Sequence, residues 1–172
     1  MLAVAVFAPL VESADLELSL WRFHRRAARD DAGRRFSFIY RGTASSADSI
    51  RHWIKTHPMV HALLEDGVLE EMDCSEVAYW SGTSLAATSD KNWSEVMQQV
   101  WPYYINGVSR MWLALMQEQI GPMRGERTLQ QLLRDSERAH QITTGIWQLE
   151  GQHALLHHLS SVFGYQPLLI RY

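Results

Sequence analysis

The sequence predicts an α+β fold, with an N-terminal α/β half built on a small antiparallel sheet and a C-terminal half of long helices. Three observations carry this. Met1 to Phe7 and Arg34 to Tyr40 are rich in β-branched or aromatic residues and bounded by turn signals, as strands are. From Trp93 onward apolar residues recur at helical spacing for most of the remaining chain, broken at Gly121-Pro122 and Gly125. At 172 residues, 47% hydrophobic and 20% charged, the chain is long and apolar enough for one packed domain. The expected division is 1–75 for the α/β half and 91–172 for the helical half.

Taken in order, Met1 to Phe7 carries Val4 and Val6 and is expected as a buried strand that Pro9 helps to end. Ser13 is placed to cap a helix, with Asp15 and Glu17 near its positive end and Leu16, Leu20, Phe23 and Ala27 as its apolar stripe. Asp30 to Gly33 breaks it. Arg34 to Tyr40, with Phe36, Phe38, Ile39 and Tyr40, is the clearest strand, and Gly42 closes it. Ser46 marks the start of a further helix, which His57-Pro58 interrupts because a residue before proline is pushed out of the α region. A short helix runs on through Val60, Leu63 and Leu64 to Gly67, and Val68 to Met72 returns as a strand. Two short helices joined by a sharp turn and followed by a strand are the ingredients of a winged helix.

Cys74 to Asp90 has weak periodicity and is expected as a loop between the halves. Trp93 to Ile120 is expected as one long helix with Val96, Val100, Tyr104, Met111, Leu115 and Ile120 on its apolar face. Pro102 marks a kink or its true start. A second long helix is expected from about Glu126 to Phe163, with Gly164 as its C′ residue and Pro167 beyond it. Leu168 to Tyr172 is apolar enough to rejoin a sheet as an edge strand.

Cys74 is the only cysteine, which excludes an intrachain disulfide and a cysteine-based zinc site and points to the cytoplasm. The apolar opening lacks a basic flank, and no run approaches the ~18 apolar residues of a membrane span. Neither export nor membrane insertion is expected. The net charge of −3 disfavours nucleic acid as a partner, although Arg22, Arg25, Arg26, Arg29, Arg34 and Arg35 cluster against only Asp30 and Asp31. Arginine outnumbers lysine, which occurs only at Lys55 and Lys91, and guanidinium groups suit carboxylate partners and interfaces.

The best metal-like motif is Glu150, His153 and His157. On an α-helix these side chains project within roughly 60° of one another, as a shared ion requires. An E-x-x-H pair recurs in carboxylate-bridged di-iron bundles, where facing helices each carry one; the other E-x-x-H of this chain, Glu137 and His140, lies on the same expected helix and cannot supply the facing half of such a cage. The motif therefore reads as a scaffold or interface face before a metal site. His157, His158, Phe163 and Tyr165 group near the end of the same helix. His52, His57 and His61 straddle Pro58 and read as surface residues. Trp93, Trp101, Tyr103, Tyr104, Trp112 and Trp147 leave core, interface and small-molecule pocket open as roles. No nucleophile elbow or phosphate loop occurs, and Cys74 has no adjacent base.

The sheet-bearing first half with its helix-turn-helix-strand order from Ser46 to Met72, followed by a helical half, resembles the partner subunit of the methanobactin oxazolone-thioamide synthase. That subunit type carries a peptide-recognition element that takes up a leader peptide as an added strand. The resemblance implies a non-catalytic accessory subunit in a heterodimer, with a precursor peptide and an iron enzyme as partners and iron in the partner rather than in this chain. Arg34, Arg35, Phe36, Phe38 and Tyr40 are the candidate peptide- or partner-binding residues, since their strand can accompany backbone pairing. The alternatives are a stand-alone helical metal-dependent oxidase using Glu150, His153 and His157, and a winged-helix DNA-binding regulator.

Overall fold

The computed structural model describes residues 1–25, 35–74, 89–121 and 127–165. They form an α+β arrangement in which one antiparallel hairpin-like sheet of two strands is packed among helices. The N-terminal segment is helical, not a strand: Ala3–Phe7 is a π-helical turn that runs into α1, Ala8–Glu12. Ala3, Val4, Val6, Phe7, Ala8 and Leu10 are all buried, so the run faces core on nearly every side. A short apolar run of that kind has no polar face to reveal its period, and Pro9 sits where helices tolerate proline, in the first turn.

The next segment reverses the expectation. In place of a helix, β1 (Leu18–Arg25) pairs antiparallel with β2 (Phe36–Gly42), the strand the sequence foretells. Ser13 follows α1 as a turn residue, its hydroxyl accepting from the Asp15 amide at 3.3 Å. The register sets Trp21 opposite Tyr40, Phe23 opposite Phe38 and Arg25 opposite Phe36, while Leu20, Arg22 and His24 face Arg41, Ile39 and Ser37 on the other side. Phe23 stacks on Phe36 at 5.3 Å, Phe38 lies 4.8 Å from Phe7, and Trp112 meets Phe23 edge-on at 5.6 Å. This cross-strand aromatic packing outweighs the helical spacing of Leu16, Leu20 and Phe23. Gly42 is required at the strand end, where a Cβ would stand 2.9 Å from the Glu17 carbonyl oxygen.

Helix α2 (Ala44–Thr56) is capped by Thr43, whose Oγ1 accepts from the Ser46 amide at 3.1 Å; Ser46 lies inside the helix and does not begin it. Its buried hydroxyl instead accepts from the Glu17 amide at 3.1 Å and so ties α2 to the start of β1. The break at His57-Pro58 stands: α3 (Pro58–Glu65) opens there, with His57 Nδ1 accepting from the Met59 amide at 3.1 Å. Val68 to Met72 forms no strand. The Val68 and Leu69 amides both donate to the Leu63 carbonyl at 2.9 Å, so the chain folds back over the end of α3 and spends its donors there. The helix pair of the expected pattern is thus present without its third strand.

In the second half, α4 (Glu95–Ile120) is capped by Ser94 and ends at Gly121, whose φ of 69° is left-handed. Pro102 is accommodated inside it. α5 (Leu129–Gly151) begins with a capping box between Thr128 and Gln131, passes into a π-helical turn (Gln152–His157) and closes with α6 (His158–Val162) before Gly164 at φ 68°. The buried stripe of α4 is Pro102, Asn106, Ser109, Leu113, Met116 and Ile120, spaced by fours and threes. The expected face is largely the wrong one: Val96, Val100 and Tyr104 are at least half exposed. Leu113, Met116 and Ile120 join Trp21 and Ala139 in one core cluster, and Val6, Phe7, Leu10, Ile50 and Val60 form another. Among the described residues no helix is long and apolar enough to cross a membrane. The expected loop from Cys74 to Asp90 falls mostly, and the strand from Leu168 to Tyr172 wholly, outside the described residues.

Candidate functional site

A two-stranded sheet has two outer edges, and α4 treats them unequally. The register and the direction of the Trp21 and Phe23 backbone groups show that these residues point their N–H and C=O away from β2. On that side Asn106 Nδ2 donates to the Trp21 carbonyl at 2.6 Å, and the Ser109 hydroxyl accepts from the Phe23 amide at 3.2 Å. Arg110 locks the amide from the next turn: its Nε donates to Asn106 Oδ1 at 3.1 Å, and its guanidinium lies 5.3 Å over the Trp21 ring. The edge of β1 is closed by side chains standing in for a third strand.

Across the sheet, Phe36 and Phe38 sit in the same kind of pair as Arg25 and Phe23, so their backbone groups point to the far edge of β2. No strand lies there and no hydrogen bond reaches those groups among the described residues. The candidate residues of this strand divide accordingly. The rings of Phe36, Phe38 and Tyr40 turn inward onto the core, half-buried, and what they present to a ligand is backbone and ring edge. Arg35 is exposed and, among the described residues, reaches only the equally exposed Glu71, at 4.0 Å. Arg34 lies outside the described residues.

The opposite face of the sheet is cationic. Arg22 lies between Leu20 and His24, its guanidinium 4.5 Å over the Trp101 ring, and burial lowers its pKa. Leu20, Arg22, Ile39, Arg41 and Pro102 surround a shallow dimple of about 40 Å³. A larger open crevice of about 420 Å³ lies between α1 and α4, lined by Pro9, Glu12, Gln117 and Glu118, with Gln117 Nε2 donating to Glu12 Oε1 at 2.7 Å.

Glu150, His153 and His157 are all exposed. The π-helical turn spreads the α-helical phase, and His153 and His157 meet ring to ring, centroids 5.1 Å apart and 17° from parallel. His158 lies 5.3 Å and 5.4 Å from them, and Tyr165 lies 5.4 Å from His157. Among the described residues no three His, Cys, Asp or Glu side chains converge as a metal site would require. Burial, reinforced by Asp73 and opposed by Lys55 and Arg51, pushes the Cys74 thiol up and away from the reactive thiolate. Burial likewise lowers the pKa of His57.

The aromatic set is split between core and surface. Trp112 packs on Phe23, and Trp101 lies under Arg22 with Trp93 at 5.3 Å, but Tyr103, Tyr104 and Trp147 are 60%, 50% and 55% exposed. With Val96, Met97 and Val100, the two tyrosines make an uncovered apolar stripe along the first half of α4. The residues that sequence reasoning missed are Asn106, Ser109 and Arg110. Their signal is present: two polar residues interrupt an otherwise apolar four-three spacing that ends in Leu113, Met116 and Ile120, and a polar residue in a buried stripe must find a partner.

Fold and site together define an α+β chain in which one sheet edge is sealed and the other, among the described residues, is open. No protein-family model matches it, and no curated protein or solved structure shows significant similarity to it.

Proposed function

We propose that this chain is a non-catalytic peptide-recognition subunit of a ribosomal-peptide-modifying complex, taking up a precursor peptide as an added strand on β2 and pairing with an iron enzyme that forms oxazolone and thioamide groups. The observation that carries the reading is the unequal treatment of the two edges: α4 closes β1 with Asn106 and Ser109, while nothing among the described residues takes up the outward main-chain groups of Phe36 and Phe38. The uncovered stripe of Val96, Val100, Tyr103 and Tyr104 offers a second surface, of the kind that suits an enzyme subunit. In this reading the chain works in the cytoplasm, the iron belongs to the partner, and Glu150, His153 and His157 serve as an exposed helix face.

Calorimetry with a methanobactin-type precursor peptide tests it. N-methylation of alternate peptide residues removes donors along one side of an added strand only, so one methylation register abolishes binding and the other leaves it. Equal effects of both registers would reject strand addition. Metal analysis of the purified chain tests the rival oxidase reading: stoichiometric iron that disappears in His153→Ala would establish it.

A further inference from the structure

Resting on the strand-addition reading, we propose that the peptide received at β2 is acidic, with two carboxylates six residues apart that meet Arg35 and Arg41. Neither strand contains an acidic residue, and the face opposite the aromatic core carries Arg22, His24 and Arg41. The alternation of the strand puts Arg35, immediately before β2, on the same face. The chain as a whole is net negative, so this concentration of cations is local and not a reflection of composition. Arg41 is exposed and makes no ion pair among the described residues, and Arg35 has only its 4.0 Å contact with Glu71, both groups being open to water. Both guanidinium groups are therefore available to a ligand at small cost.

The spacing follows from strand geometry. Side chains on one face recur every second residue, so a strand added to β2 sets alternate residues beside Arg35, Ser37, Ile39 and Arg41. Residues six apart in the peptide span about 20 Å and reach both arginines, with an apolar or small residue beside Ile39 between them. Residues five apart cannot, because one of them falls on the opposite face. The same arginines argue against a second copy of this chain as occupant. Antiparallel self-pairing of β2 about Phe38 would set Arg35 directly against Arg41 twice over, and opposed like charges disfavour a pair.

The test uses synthetic, end-blocked peptides of a threonine and valine background, and reads amide shifts of Phe36 and Phe38 by NMR on the full chain. Aspartates six apart are expected to bind about tenfold more tightly than lysines at the same positions, and the gap should shrink at ~0.5 M salt. Aspartates five apart should lose much of the gain. The double variant Arg35→Glu, Arg41→Glu should invert the preference; because both residues are exposed, Arg35→Gln with Arg41→Gln provides a milder version that abolishes it without reversal. Equal binding of aspartate and lysine peptides would overturn the charge assignment while leaving strand addition in place. Binding by none of them would overturn both, and leave the arginines as guards of an edge that accepts no strand.

Discussion

The two edges of the sheet start from the same chemistry and end differently. Trp21 and Phe23 on β1, and Phe38 and Phe36 on β2, are equivalent in the ladder, and each points a donor and an acceptor outward. On β1, α4 supplies a carboxamide, a hydroxyl and a supporting arginine at the helical positions that face the edge. On β2 the described residues supply nothing of the kind, and arginine stands at either end. A main-chain edge is thus closed or left open according to what packs beside it, and among the described residues the difference is local: one helix, three residues.

The most damaging way to break this contrast is to unseat α4. Leu113, 4% exposed in the cluster with Trp21 and Met116, should lose about 2–5 kcal/mol of stability as Leu113→Ala in urea unfolding, the ordinary consequence of a core cavity. Asn106→Ala keeps the helix but orphans the buried Trp21 carbonyl and the Arg110 donor, and should cost about 1–3 kcal/mol by the same measurement. A change below a few tenths would mean that water replaces the cap freely. Ser109→Ala sharpens the comparison without destroying it. The Phe23 amide should exchange slowly in the parent and quickly in the variant, whereas the Phe38 amide should exchange quickly in both unless a peptide is bound.

A control away from both edges comes from His57. Its imidazole Nδ1 accepts a hydrogen bond at the start of α3, and burial depresses its pKa below the ordinary 6.5. Below that value the unfolded chain takes up the proton more readily than the folded one, so His57's share of stability is complete above about 6.5 and lost as pH falls toward the depressed value. The slope of stability against pH in this window should flatten in His57→Asn, which retains a capping acceptor. The smallest effect is expected at Tyr103→Ser, on the uncovered stripe of α4. Stability should change by less than about 0.5 kcal/mol, while affinity for an enzyme subunit, measured by calorimetry, should fall if that stripe is its docking surface.

Much of the fold was legible along the chain. The aromatic, alternating β2, the proline break between α2 and α3, and the two long helices with their glycine stops all announce themselves, because caps and breakers act over a few residues. The errors have a shared cause. Ala3–Phe7 looks like a strand because an apolar run buried on all sides loses its period, and β1 looks like a helix because three apolar residues happen to fall at helical spacing while Trp21 and Phe23 alternate. On α4 the more hydrophobic stripe at its start, with Val96, Val100 and Tyr104, is not the core face. The protein instead buries the stripe containing Asn106 and Ser109, since a sheet edge rewards polar partners as well as apolar ones.

The candidate site was half visible. Its strand and Arg35 could be named from the sequence, but not Arg41 at the far end of β2, nor the direction of its aromatic rings, which turn inward, nor the helix that closes the opposite edge. What the sequence by itself determined is therefore the set of local signals: where helices stop, where the strongest strand runs, how many cysteines there are and where arginine concentrates. What only the tertiary structure decided is which of two equivalent edges is sealed and which stripe of α4 is buried. Those outcomes depend on residues 85 and 86 positions apart meeting across the sheet, and no local pattern encodes a hydrogen bond of that range.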